Sequence, residues 1–202
     1  MLGITHDNRE YFALAAQQIQ NIDCAALQRL SDAVMQRYDQ GKFIYIIGNG
    51  GSGLNASHFA EDLGKSTVPD AHLQDPDRKR LKVLSLTDNL GWIMAAGNDV
   101  GYEHIFTQQL MNYGQAGDLL IAISGSGNSP NILHAVDWAK NHGLTTFGLT
   151  GYTGGTLKRQ QDDGLHVECN DMGVVESLHL LLFHWMLNDV HARINHVGRH
   201  AT

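Results

Sequence analysis

Two short segments concentrate the polar chemistry of this chain: IIGNGGSGLNASH over residues 46–58 and IAISGSGNSPN over residues 121–131. Each ends an apolar run and opens what reads as a helix. In an open α/β sheet, ligands bind beyond the carboxyl ends of the strands, where backbone amides and helix N-termini point outward. Glycine lets the backbone approach a ligand, and Ser124, Ser126 and Ser129 could surround a phosphate without any Lys or Arg. The competing reading is a pair of capped strand-to-helix turns, in which the same side chains satisfy helix amides. Two such loops on one sheet favour the ligand site. Beyond the first loop, His58 and Asp62 stand four residues apart on one helix face. A long apolar segment near the end of the chain carries Glu176, His179 and His184. Imidazoles and carboxylates are the groups that move protons.

Neither loop is a nucleotide fingerprint. Gly48, Gly50 and Gly53 have the GxGxxG spacing, but no acidic residue closes a second strand about twenty residues further on, and no GxxxxGK[ST] occurs. NAD and ATP are disfavoured. The formal net charge of −7 argues against nucleic acid or an anionic membrane as partner, while a local site can still take an anionic small molecule. Cys24 and Cys169 are far apart and lack CxxC spacing, so neither a disulfide framework nor a cysteine zinc site is expected. No secretory signal and no run of membrane-spanning length are read, which makes a soluble cytoplasmic protein the expectation.

The elements that must position these residues alternate. Strands are predicted over 42–48, 80–86, 118–124, 145–151 and 164–169, and helices over 57–65, 91–100, 102–114, 131–143, 155–161 and 174–194. That alternation predicts an α/β fold, a three-layer α-β-α sandwich around a central parallel five-stranded sheet. Residues 1–40 read as two extra N-terminal helices broken near NIDCA, with Asp23 capping the second. They exceed what one small sheet needs. The whole of 1–202 is read as one domain, with 41–202 as its α/β core. Residues 66–80, with two prolines, are expected to form a surface loop or lid.

GNGGS after a strand, GND at 97–99 and SGSGNS at 124–129 resemble the sugar isomerase (SIS) domain family over nearly the whole chain. Within it, the chain looks like the phosphoheptose isomerases, which convert sedoheptulose 7-phosphate to a heptose 7-phosphate for lipopolysaccharide, capsule or other glycan synthesis. The resemblance implies a flavodoxin-like SIS fold, a sugar phosphate substrate and a homotetramer with phosphate loops near subunit boundaries. It implies substrate contacts from Asn49, Gly50, Gly51, Ser52, Asn98, Asp99, Ser124, Gly125, Ser126 and Ser129. It further implies a zinc and acid/base cluster of His58, Asp62, Glu176 and His184, with His184 as acid/base histidine and Asp62 or Glu176 as base. Three positions depart from the family pattern: Asp62 stands for Glu, Glu176 for Gln, and Gly173 for an acidic residue.

Eight residues of helix separate Glu176 from His184, roughly 12 Å at about 1.5 Å per residue. A straight helix would not aim both at one ion. A bend, a long reach or a second subunit would have to contribute. His179 is expected to be structural, Glu61 an exposed neighbour of Asp62, and Asp88 and Asn89 turn residues or ligand contacts. Lys65 is a candidate cation near the first loop's helix, and HARINHVGRH reads as a frayed helix end. The alternatives to a heptose isomerase are a non-catalytic SIS scaffold or phosphosugar sensor, and an isomerase of another sugar phosphate. His184 favours an enzyme.

Overall fold

A computed structural model of the protein describes residues 2–201. Five strands form one parallel sheet: β1 (Phe43–Gly48), β2 (Lys82–Ser85), β3 (Leu119–Ser124), β4 (Thr145–Thr150) and β5 (Asp163–His166). Their spatial order is β2-β1-β3-β4-β5, with every pair parallel. This is the flavodoxin-like arrangement, and its strand order reverses between β1 and β3, where ligand crevices form. Both glycine-serine loops leave the sheet at that point.

The central strands are continuous hydrophobic runs because both faces of the sheet are covered. Successive side chains point to opposite faces, so Ile44, Ile46, Leu119, Ile121 and Ile123 enter one core and Tyr45, Ile47, Leu120 and Ala122 the other. Helices α1 (Asn8–Gln20), α2 (Cys24–Gln40), α3 (Gly50–Lys65) and α8 (Met172–Asn195) lie on the first face. The second carries α4 (Leu90–Asp99), α5 (Thr107–Tyr113), α6 (Pro130–Asn141) and the short α7 (Leu157–Gln160). The expected helix over 102–114 is split into a 3-10 turn at Tyr102–His104 and α5. Asp23 does cap α2, accepting from the Ala26 amide.

Contacts between α3 and α8 climb both helices together. Ser52 and Asn55 meet Glu176, Phe59 stacks on Phe183 with ring centroids 3.8 Å apart, Asp62 faces His184, and Ser66 meets His191. The two helices therefore run side by side in the same direction, both starting at the carboxyl edge of the sheet.

Residues 66–80 form the expected surface loop, while the C-terminal tail departs from its reading as a frayed end. Residues 66–80 contain a 3-10 turn at Asp70–His72, and Arg78 donates to Asn195 Oδ1, while Asn195 donates to the Thr67 carbonyl. The C-terminal residues are not frayed: α8 runs to Asn195, and Arg199 and His200 fold back onto the buried carboxylate of Asp189. Burial alone would raise the Asp189 pKa, but hydrogen bonds from Ser31, Arg199 and His200 outweigh it and hold the group at about 2. The charge explains the packing, because a buried carboxylate needs partners.

Phe183→Ala removes half of the ring stack that holds α3 on α8. It should cost about 3–5 kcal/mol, read as a lower midpoint in denaturant unfolding.

Candidate active site

Two explanations of the glycine-serine loops make opposite demands on their helix caps. Asp7, Asp23 and Asp171 cap α1, α2 and α8 with their side chains, as turn chemistry requires. Asn49 and Ser129, at the cap positions of α3 and α6, make no such bond. Asn49 instead exchanges amide hydrogen bonds with Asn131, at 2.8 and 2.9 Å, which fastens the first loop to the second. Tyr102 adds a hydroxyl to Asn49 Oδ1 at 3.3 Å. The uncapped first turn of α3 opens at a small cavity of about 110 Å³, lined by Asn49, Ser52, Ser124, Gly125, Ser126 and Ser129. At α6 the first residue is Pro130, which has no N–H, and the Ile132 amide is taken by Asn131 Oδ1 at 3.0 Å, so α3 and the serine hydroxyls make the anion cradle. Ser124 and Ser126 also accept from the amides of Gly127 and Asn128, so the turn reading holds for part of their role.

Glycine is required where the backbone comes closest. A Cβ on Gly48 would lie 2.4 Å from the Ser52 carbonyl oxygen, and one on Gly51 would lie 2.2 Å from Glu176 Oε2. Gly50, in a left-handed conformation with φ of 54°, opens α3 and is exposed.

About two turns along α3 from Gly50, His58, Asp62 and His184 converge, with one ligand atom from each within 4.8 Å of the others. His58 Nε2 lies 3.3 Å and His184 Nε2 lies 3.7 Å from Asp62 Oδ2. His184 Nδ1 lies 3.0 Å from the Leu180 carbonyl. A carbonyl can only accept, so Nδ1 carries the proton and Nε2 presents its lone pair to the cluster. Ser66 Oγ donates to the other oxygen of Asp62 at 3.4 Å. The two imidazoles are about half exposed and Asp62 is 18% exposed, so the cluster opens to solvent. Two nitrogens and one carboxylate oxygen, with an open side and a backbone-fixed tautomer, fit a divalent ion of the zinc type.

A family model described as the SIS domain matches residues 10–151. The chain belongs to the SIS domain family. A phosphoheptose isomerase of Synechocystis sp. is 33% identical over 171 residues, covering 85% of this chain and 84% of that one. One from Clostridium acetobutylicum is 38% identical over 158 residues, covering 78% and 77%. The solved phosphoheptose isomerase of Neisseria gonorrhoeae superposes with a TM-score of 0.80 at 29% identity, covering 89% of this chain and 94% of that one. Within the SIS family the protein stands with the isomerases and is an enzyme of that kind.

Of the four residues expected in the SIS metal and acid/base cluster, the fold brings together three. Glu176 stands apart, two turns up α8, because the helix is continuous and the rise of about 12 Å is real. Its Oε1 accepts from Ser52 Oγ at 3.3 Å, so it belongs to the cradle. Gly173 leaves room for Tyr11, whose hydroxyl donates to Asp171 Oδ1 at 3.2 Å; a Cβ there would lie 2.7 Å from that hydroxyl. Asn98 and Asp99 end α4, exposed and bonded to each other at 2.8 Å, and they do not line the cradle. Lys65 sits at the far end of α3, paired with Glu61 at 3.2 Å, so it cannot serve the first loop. Asp88 accepts from Ser57, and Asn89 starts α4 without a side-chain cap. Sequence reasoning passed over Asn131, Tyr102 and Met172 at the cradle. Asn131 was inside the second motif, but nothing in its spacing signals a partner 82 residues away.

His179 is fully buried, with Nε2 at 3.3 Å from the Thr150 carbonyl and Nδ1 without a partner. Burial pushes its pKa down to about 4 from an ordinary 6.5. The folded state therefore binds fewer protons than the unfolded chain between these values, and stability is lost as pH falls from 6.5 towards 4. In His179→Gln, unfolding followed by denaturant should show a shallower loss of stability across that window.

Proposed function

We propose that the protein interconverts an aldose and a ketose phosphate, with sedoheptulose 7-phosphate and D-glycero-D-manno-heptose 7-phosphate as its pair, in the synthesis of a surface glycan such as lipopolysaccharide. The observation that carries this reading is the spacing between an uncapped serine cradle and a proton-moving trio on two parallel helices. From Ser52, His58 lies six residues and Asp62 ten residues along α3, roughly 9 and 15 Å at about 1.5 Å per residue. An extended chain advances about 1.2 Å per bond, so phosphorus and C1 of a heptose 7-phosphate stand roughly 10 Å apart. A phosphate held by Ser52, Ser124, Ser126 and Ser129 then presents C1 and C2 near the trio.

Asp62 is taken as the base rather than Glu176, because it shares its level on the helices with His184. It removes a C1 proton of the ketose while His184 Nε2, the nitrogen with the lone pair, takes the O1 proton and delivers it to O2. Asp62 then returns its proton to C2, leaving the aldose. Asp62 is one methylene shorter than the family's Glu, and the approach of His58 to 3.3 Å keeps its carboxylate directed into the trio. In a zinc-bound form His58, Asp62 and His184 would hold the ion, which supplies polarisation of the carbonyl oxygen in place of proton transfer by His184 Nε2.

Assembly as a homotetramer agrees with the apolar surface left by the N-terminal helices. Phe12 and Ile19 on α1 and Leu181 on α8 are exposed. A groove of about 600 Å³ between α1, α2 and α8 is lined by Ile19, Leu27, Leu178, Leu181 and Trp185 and reaches His184. Burial of this surface by further copies would set the site at a subunit boundary. No described helix is long and apolar enough to cross a membrane.

Isomerisation assays across triose to heptose phosphates should find the seven-carbon substrate turned over fastest. His184→Ala should lose about 100-fold or more in kcat, with sugar phosphate binding retained. Binding without turnover of any sugar would replace the enzyme reading with a sensor or scaffold. Zinc titration should find one site per chain, weakened at least tenfold in His58→Ala; an unchanged affinity would remove the metal from the trio.

A further inference from the structure

Glu176 is the one charged side chain among the described residues that line the cradle. It is also seated on the groups that would receive a phosphate. Ser52 Oγ donates to Oε1 at 3.3 Å, and Oε2 rests over Gly51, where no side chain could fit. Its backbone is held in place, because Asn55 Nδ2 donates to the Glu176 carbonyl oxygen at 2.9 Å and the surrounding turn belongs to α8. Only the side chain is free to leave. A carboxylate and a phosphate need the same donors and repel each other at hydrogen-bonding range, where like charges interact strongly outside bulk water.

We propose that Glu176 is a resident anion of the cradle, which holds the phosphate's place in the free protein and must rotate away for phosphate to enter. The proposal rests on the phosphate-binding reading given above. Its consequence is selectivity. A bare phosphate or sulfate gains only the contacts of the cradle and must displace the carboxylate with them. A sugar phosphate gains further contacts along α3 and α8, and these offset the displacement. The glutamate therefore discriminates against free inorganic anions in favour of phosphate carried on a sugar.

The test compares calorimetric binding of inorganic phosphate and of sedoheptulose 7-phosphate to the full chain and to Glu176→Gln and Glu176→Ala, at one pH and ionic strength. Thermal unfolding checks that each variant is folded. Inorganic phosphate should bind at least about tenfold tighter to both variants, with a smaller gain for the sugar phosphate. In a crystal of the unaltered protein grown with phosphate, the Glu176 carboxylate should be off Ser52. Unchanged or weaker phosphate binding in both variants overturns the proposal, as does phosphate in the cradle with the Ser52–Glu176 contact intact. Unchanged sugar phosphate binding across all three proteins, with no inorganic phosphate bound by any, overturns the role of Glu176 while leaving the cradle. Failure of every protein to bind either ligand removes the cradle itself, and the proposal with it.

Discussion

The stacking of Phe59 on Phe183 sets the register between α3 and α8, and the chemistry of the molecule is distributed along that register. Above the stack, Ser52 faces Glu176; at its level and just below, His58 and Asp62 face His184. A slip of one helical turn, about 5.4 Å, would part the histidines from the aspartate and pull the cradle's wall out of line. Both rings are nearly fully buried, so their contact is protected from water. Side chains in such a close-packed interior have few alternative arrangements. The site is therefore only as precise as this interface.

The sheet contributes the other coordinate. With the order β2-β1-β3-β4-β5, chain reversal between β1 and β3 places two loops separated by about 75 residues of sequence on either side of one crevice. The Asn49–Asn131 pair then locks them together. Asn49 spends its side chain on Asn131 and not on the amides of α3, so that helix keeps its positive end free towards the cavity, while Asn131 Oδ1 also accepts from the Ile132 amide of α6. A polar residue at a cap position is usually a cap. Here a long-range partner outcompetes the local one, and the anion site follows from that competition.

Where the local pattern was strong, the reading from sequence and the fold agree: strands β1 and β3 are buried apolar runs, and Asp23 caps α2. Residues 66–80 form the surface segment expected, and the C-terminal tail is where the local reading fails, since its order comes from a distant partner. Arg199 and His200 reach the buried Asp189, contacts with no short-range signal. The site divides in the same way. The four-residue pairing of His58 and Asp62 is a property of one helix and could be read directly. Their meeting with His184 spans more than 120 residues and was carried by resemblance alone.

The alternation of strand and helix, the two glycine-serine junctions and the His58–Asp62 face are legible in the chain of residues, because they depend on local periodicity and backbone sterics. Even the obstacle to placing Glu176 beside His184 followed from the rise of a straight helix. Where Glu176 goes, and which groups the junctions face, depend on long-range packing. Its carboxylate lies in the cradle because the packing of α8 on α3 sets it opposite Ser52, and the absence of a side chain at Gly51 leaves it space. Those contacts are made across the fold, and no spacing within either helix encodes them.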